Sequence, residues 1–482
     1  MVSEQRERED KFDVDLGFVV PELTDLLPEG GRIETATHAL DNTYYDTAGG
    51  DLARLRLTLR RRVGGPDAGW HLKMPAGLAR TEVHSKSRGR TVPKGLTGPL
   101  TGVSRGQELV PVASLRTTRD VLRLLTADGE LLAEVADDQV ESATMGSEST
   151  LGSWREVEVE LGSAGDEQLL STIGDRLVEW GASRSAHASK LQRALGVDVQ
   201  QVPAAPSYET LGDLIVAYVS TQCTEIVKGD LALRLGHSAV HPTRVAVRRL
   251  RSTMRIFADV FDAGEAAALE PELVWFAGLL GEVRDRDILS ERLLHQIAKL
   301  PAEFVLGPVA AHVESVLHEE RNRFLRRADE AMLTERYLAL LATLDRWRTS
   351  PPLTEQAALP AAAAKAYVRK AERKLYRRLG KAHGDPEALH GARKAGKRFR
   401  YAAELAEPAL GKKAAKLAKQ GKKLQTLLGE HQDSTVSAAF LRAQGAAAGT
   451  DADQNGFTYG ILLAREWQRS SDIQRALKKR FG

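Results

Sequence analysis

Carboxylates and cations recur in the first part of this chain at two-residue spacing. Glu7, Glu9 and Lys11 alternate in REREDKF, Arg60 and Arg62 in LTLRRRV, His71 and Lys73 in GWHLKMP, and Glu156, Glu158 and Glu160 in WREVEVEL. On a strand, residues two apart share a face. Each segment therefore presents charge on one side and aliphatic or aromatic residues on the other. Glu7, Glu9, Asp138, Glu156 and Glu158 offer only oxygen, which suits Mg²⁺ or Mn²⁺ rather than zinc. Arg60, Arg62, Lys73 and Arg119 call for an anion, and guanidinium forks match phosphate oxygens. Metal ligands beside a basic cradle describe a phosphoryl-transfer site.

The second part of the chain repeats a different word. HPTRVAVRRLR starts at His241, and HGARKAGKRFR starts 149 residues later, at His390. LLGEVRD, ending at Asp285, is answered by LLGEHQD, ending at Asp433. The pairing indicates an internal duplication of a helical unit. His241, Arg244, Arg248, Arg251 and Arg255 step by three and four, so they share a helix face, with Arg249 beside them. The second copy presents His390, Arg393, Lys397, Arg400 and Glu404 on one face, flanked by Lys394, Arg398 and Tyr401. Lys412, Lys416, Lys419 and Lys423 make a further stripe. Like charges three or four apart cost stability on an isolated helix, and these stripes hold few acids to relieve them. They suit a polyanion. Base readers and single-strand binders use amides and aromatics, which the stripes almost lack. Inorganic polyphosphate therefore ranks above nucleic acid.

Two kinds of element must position these groups. Residues 1–200 carry 24 Lys and Arg against 32 Asp and Glu, and the remainder 44 against 33. The acidic part reads as short alternating strands divided by Gly, Pro and Asp turns. Both signs of charge recur so densely on one face that a closed sheet with a polar interior explains them better than a sandwich. From about residue 208 long Ala-, Leu- and Arg-rich segments with three/four spacing predict helices. The predicted organisation is a strand domain over 1–200, a linker over 201–206 containing Pro203 and Pro206, and a helical domain over 207–482. No apolar run approaches the ~20 residues of a membrane span. The polar N-terminus reads as neither a secretory signal nor a transit peptide. Cys223 is the one cysteine, which excludes an internal disulfide and a cysteine metal cluster. A cytoplasmic protein is expected.

The ordered elements E-x-E-x-K at residues 7–11, YYDT at 44–47, LRRR at 59–62, WHLK at 70–73 and EVEVE at 156–160 resemble the CYTH family, the triphosphate tunnel metalloenzymes. The resemblance spans residues 5–195. It implies an eight-stranded antiparallel tunnel with flanking helices that hydrolyses a triphosphate with Mg²⁺ or Mn²⁺. It further implies Glu7, Glu9, Asp138, Glu156 and Glu158 as metal ligands, and Lys11, Arg60, Arg62, Lys73, Arg116, Arg119 and Lys190 as phosphate grips. Arg116 and Arg119 both lie in SLRTTR, where one alone is needed. Glu158 would orient the attacking water, and no residue suggests a phosphoenzyme. The duplicated H-x-x-R-x-x-x-R-R-L-R and LLGE-x-x-D elements, with R-Y-x-x-E after the second, resemble the CHAD domain over roughly residues 207–482. That resemblance implies an all-α domain of two pseudo-symmetric helical bundles that binds inorganic polyphosphate, and location at polyphosphate granules. The overall expectation is an α+β two-domain triphosphatase, with tripolyphosphate the leading substrate. Thiamine and nucleoside triphosphates remain open, as does a protein that only binds or localises polyphosphate.

Overall fold

The computed structural model describes residues 2–76, 79–145, 149–187, 189–196, 207–382, 385–448 and 455–481, with backbone alone at 2–7, 76, 79–80, 386 and 480–481. The predicted linker over 201–206 lies outside the described residues. The chain divides into two compact units, Met1–Ala205 and Pro206–Gly482.

The first unit is one antiparallel sheet built from β1 (Val2–Glu7), β2 (Glu9–Val14), β3 (Arg32–Asp46), β4 (Thr58–Val63), β5 (Gly69–Ala76), β6 (Ala79–Ser85), β7 (Val110–Leu125), β8 (Leu131–Thr144), β9 (Leu151–Leu161) and β10 (Ser183–Arg184). The strand order is β1-β6-β5-β4-β3-β7-β8-β9-β2-β10. Only Arg8 separates β1 from β2, and its carbonyl accepts from the Leu161 amide at 3.0 Å. A single N-terminal stretch therefore pairs with β6 by its first half and with β9 by its second. The ladder turns back on itself through that covalent join. Counting β1 and β2 as one strand gives nine rather than the expected eight, because the two-residue β10 adds an edge. Short helices α1 (Asp51–Arg54), α2 (Lys94–Ser104), α3 (Glu167–Glu179) and α4 (Lys190–Ala194) flank the sheet.

Alternation decides the two faces. Phe12, Val135, Val157 and Val159 point away from the charged face and are fully buried with Ile173 and Leu177 of α3. Fully burying one such side chain stabilises by about 1.5–3 kcal/mol, which fixes the register because a one-residue slip would turn the carboxylates into this core. The opposite, charged face encloses a cavity.

The second unit is all helical: α5 (Leu211–Arg234), α6 (Val240–Ile256), α7 (Ala263–Ile297), α8 (Val309–Met332), α9 (Glu335–Thr349), α10 (Ala364–Gly380), α11 (Pro386–Leu410), α12 (Lys412–Ala448) and α13 (Gly456–Phe481). Start signals are local. The Thr210 hydroxyl and the Asp213 carboxylate form a capping box on α5, and Asp385 caps α11 ahead of Pro386. The duplicated words fall on α6 and α11, and the LLGE words on α7 and α12. The two copies do not fold apart. Leu293 of α7, Val313 of α8, Leu441 of α12 and Leu462 of α13 share one core. Each copy thus contributes helices to a joint bundle, and α6 packs against α11 across the pseudo-twofold seam. Among the described residues no helix is long and apolar enough to cross a membrane.

Candidate functional site

Register builds the first site row by row. Asp138 of β8 stands opposite Glu156 of β9, which stands opposite Asp13 of β2. One step on in each strand's inward series, Glu158 faces Lys11 and Ala136. A further step places Glu9, Glu160 and Glu134 in a row across β2, β9 and β8. On the other stretch of the sheet Tyr44 is opposite Arg60, Asn42 opposite Arg62, and Lys73 opposite both Thr58 and Glu82. Glu9, Lys11, Arg60, Arg62, Lys73, Arg119, Glu158 and Lys190 all line one cavity of about 220 Å³.

Along its wall the charges are interlocked, with Asp138 and Glu156 buried behind the lining rather than in it. Arg119 donates to both Asp138 oxygens at 2.7 and 2.6 Å and to Glu158 at 2.8 Å. The Lys190 ammonium lies 2.9 Å from Asp138, 2.6 Å from Glu156 and 2.7 Å from Glu158. Lys11 bridges Glu9, at 3.1 Å, and Glu158. Burial would raise the Glu158 carboxyl, but Lys11, Lys190 and Arg119 outweigh it and hold it well below the usual range. Asp138 is lowered in the same way, with Lys190 and Arg119 overcoming burial. Burial opposes the Lys190 charge, yet Asp138, Glu156 and Glu158 hold its pKa well up. On the cationic stretch, burial and then Arg60 bring Arg62 down to about 10. Arg62 is pinned by Asn42 at 3.0 Å and Asp67 at 2.5 Å.

Oxygens of Asp138, Glu156 and Glu158 lie within 4.8 Å of one another. An all-carboxylate set with converging oxygens fits a hard divalent cation of the Mg²⁺ and Mn²⁺ class. The Lys190 ammonium, touching all three, marks where positive charge belongs.

Several expectations need correction. Arg116 is exposed and lies outside the cavity lining. It sits three residues from the inward Arg119, and odd spacing on a strand means opposite faces. The Glu7 side chain lies outside the described residues. His71, which shares the face of Lys73 but was assigned no role from sequence, is held by Glu82 at 2.5 Å and the Asp67 carbonyl at 2.8 Å, and stacks on His84. Glu160 and Glu134 are not among the residues assigned a role from sequence, yet both line the cavity. Burial, helped by Glu9 and Glu158 against Lys73, pushes Glu160 up to about 7. The signal was present in the cross-strand register, which alternation alone does not contain.

The second site is a cavity of about 810 Å³ between the two helical copies. His241, Arg244, Arg248, Arg251 and Arg255 line it from α6, and His390, Arg393, Lys394, Lys397 and Arg398 from α11. The repeated LLGE-x-x-D word now has a physical reason. A Cβ on Gly281 would meet Arg244 at 3.1 Å, and one on Gly429 would approach Arg393 to 3.7 Å. The glycine leaves the arginine room to lie across the helix, and the aspartate four residues on draws it down. Arg244 reaches the Gly281 carbonyl at 3.0 Å and Asp285 at 2.8 Å, and Arg393 lies 3.7 Å from Asp433. Cations crowd here. Burial, then Arg248, Arg393 and Arg244, bring Lys397 down to about 7. Burial, then Arg284 and Arg248, lower His241.

Not every predicted cation joins this cavity. Arg249 and Arg400 are turned to Glu404, at 3.0 and 2.6 Å, around the Tyr401 ring. Arg248 donates to the Tyr401 hydroxyl at 2.9 Å. The R-Y-x-x-E element is thus a clamp between copies rather than part of the lining. Lys412, Lys416, Lys419 and Lys423 are exposed on α12 and also lie outside the lining. Arg284 and Arg292 of α7 do line it and were missed, because Arg284 stands where the second copy of the word has Gln432 and Arg292 lies beyond the word.

Comparison with known proteins gives two family matches, the CYTH domain over residues 7–195 and the CHAD domain over residues 217–442. CYTH tunnel enzymes are metal-dependent triphosphatases or cyclases, and CHAD domains associate with polyphosphate. The solved structure of PptA from Streptomyces chartreusis is similar at 23% identity and TM-score 0.47, over 56% of this chain and 98% of that one. That of the CHAD domain from the plant Ricinus communis is similar at 26% identity and TM-score 0.46, over 58% of this chain and 94% of that one. An uncharacterized protein of Mycobacterium tuberculosis (strain CDC 1551 / Oshkosh) is 36% identical over 95% of this chain and 92% of its own length. With that likeness end to end, and both domain models matched in order, the chain belongs to the family that joins a CYTH tunnel to a CHAD domain.

Proposed function

We propose that the first unit hydrolyses inorganic tripolyphosphate with Mg²⁺ or Mn²⁺, and that the second binds inorganic polyphosphate. The observation that carries the first part is one cavity lined by arginines, lysines and carboxylates, with Glu158 in its wall and Asp138 and Glu156 converging on Glu158 from behind. Asp138, Glu156 and Glu158, with Glu7 and Glu9, would hold the metal, which when bound supplies Lewis-acid charge to phosphate oxygens. Arg60, Arg62, Lys73 and Arg119 grip the phosphates and stabilise charge on the leaving diphosphate. Glu158, kept ionised by its three cations, orients the attacking water by accepting its hydrogen bond. Lys11 and Lys190 hold the carboxylates in place, and with a metal bound there they would be free to turn to phosphate oxygens. The second part rests on a cavity where arginines, lysines and histidines far outnumber acids. A cytoplasmic site of action beside polyphosphate stores belongs to the same reading.

The test is phosphate release from tripolyphosphate, with thiamine and nucleoside triphosphates as a panel. Glu158→Gln and Arg60→Ala should each lose about 10²–10³ in kcat, the scale of one charge-stabilising contact. Equal rates for wild type and both variants would discard the catalytic reading and leave a binding protein.

A further inference from the structure

The helical cavity has two unlike flanks. On the α7 side Glu270 takes Arg255 and lies 3.7 Å from Arg251. Glu265 and Glu272, nearby on the same helix, are held by Arg346 and Arg336. That flank is charge-compensated, and its acids repel an anion.

The α10 side has no such compensation. Arg398 lines the cavity and also neighbours α10: burial, then Arg255 and Arg378, lower its pKa. Arg378 donates to the Gly391 carbonyl at 2.9 Å, one residue from the cavity-lining His390. Positive charge continues outward from there. Lys374 is lowered by burial, then by Arg398, Arg378, Arg377 and Lys370. Lys370, Lys374 and Arg377 step by four and three, so they share a flank of α10. All three are exposed, and among the described residues none of them makes a salt bridge. Glu372 is the only acid α10 carries.

We propose that this flank is a second binding segment: a track of Lys370, Lys374 and Arg377 that takes the part of a polyphosphate chain too long for the cavity as it leaves past Arg398. The proposal rests on the polyphosphate reading of the cavity and adds a direction to it. A chain leaves on the α10 side, where positive charge is continuous, and not on the α7 side, where Glu265, Glu270 and Glu272 stand. Chain-length preference then resides outside the cavity.

The experiment measures binding of short-chain and long-chain polyphosphate to the full chain, in chelator so that nothing is hydrolysed, across a salt series. The variant is Lys370→Gln with Lys374→Gln and Arg377→Gln. The control removes equal charge elsewhere, through Arg323→Gln, Arg326→Gln and Arg327→Gln on α8. The track variant should lose about tenfold in long-chain affinity. Its slope of log affinity against log salt should fall by about 2, at about 0.7 per lost contact on a single-stranded polyanion. Its short-chain affinity should stay within about twofold, as should both affinities of the control. A long-chain loss no larger than the control's, or an equal loss for both lengths, overturns the track while the cavity reading survives. Wild-type protein that binds neither length overturns both. Single-stranded RNA displacing long chains as well as polyphosphate itself does overturns the ligand assignment.

Discussion

The tunnel and the helical cavity both collect buried arginine and lysine, but they handle that charge in opposite ways. In the tunnel the inward cations face carboxylates, although burial and Arg60 still bring Arg62 down to about 10. Arg119 is held by Asp138 and Glu158, Lys190 by three carboxylates, Arg62 by Asp67, and Lys73 lies 3.6 Å from Glu82. Arg119 and Lys190 accordingly keep their charge more firmly than in water. In the helical cavity the acids are too few, and burial lowers Arg251, Arg393, Arg398 and Lys397. A site that must hold a metal and an anion together needs both signs built in, and can exchange internal ion pairs for ligands at little net cost. A site that only binds an anion can leave its cations unrelieved and let the ligand relieve them.

Removing a carboxylate should therefore hurt the tunnel most. Asp138 is completely buried between Arg119 and Lys190. Asp138→Ala takes one carboxylate from two buried cations, leaving Arg119 with Glu158 and Lys190 with Glu156 and Glu158, and costs about 3 kcal/mol. Thermal unfolding should shift down by on the order of 10 °C for a unit of this size, with hydrolysis abolished. A shift of only a degree or two would mean that the tunnel charges are solvated singly and that the contrast with the helical cavity is false.

The matching experiment on the other side predicts the opposite sign. Lys397→Met replaces a half-buried, crowded ammonium by an apolar chain, and should stabilise the protein by about 1 kcal/mol while weakening polyphosphate binding several-fold. The pH dependence sharpens this. Lys397 titrates at about 7 when folded, against about 10.4 unfolded. Between those values the unfolded chain binds the extra proton, so this group's contribution makes stability rise with pH across that window and leaves it flat below about 7. A bound phosphate raises the folded pKa, so binding above pH 7 takes up a proton and weakens as pH rises. Calorimetry at pH 8 in two buffers of different ionisation heat should detect that proton. Lys397→Arg, which stays charged, should abolish the uptake and keep the affinity.

Much of this was legible in the residues, and the part that was not has a common cause. Alternation alone identifies Arg60, Lys73 and Glu158 as sharing faces with other charges, because strand period is local. The offset between His241 and His390 reveals the duplication, because repeats are visible in one dimension. Cross-strand register is a long-range property, so the row joining Glu9, Glu160 and Glu134 was hidden. The same holds on the helices. Spacing places Arg249 beside the basic face of α6, but only packing of α6 against α11 shows that Glu404 claims it. The lysines of α12 form a true stripe that faces no cavity. Sequence therefore tells which side chains travel together, and tertiary structure tells which of those groups meet.

The smallest expected effect tests the inward rule directly. Arg116 and Arg119 share SLRTTR and a strand, and a charge count treats them alike. Arg119 is tied to Asp138 and Glu158 inside the tunnel, whereas Arg116 is exposed opposite Glu141 and Asp41 on the outer face. An exposed charge far from substrate acts only through a screened field, and exposed ion pairs contribute about 0–1 kcal/mol. Arg116→Ala should thus leave kcat and KM for tripolyphosphate within about twofold and stability within about 0.5 kcal/mol. Arg119→Ala should lose activity on the scale of Arg60→Ala. If the two variants were equally impaired in steady-state assays at physiological salt, position inside the tunnel would not be what separates working charges from decorative ones. The contrast between a matched interior and an unmatched one would then lose its basis.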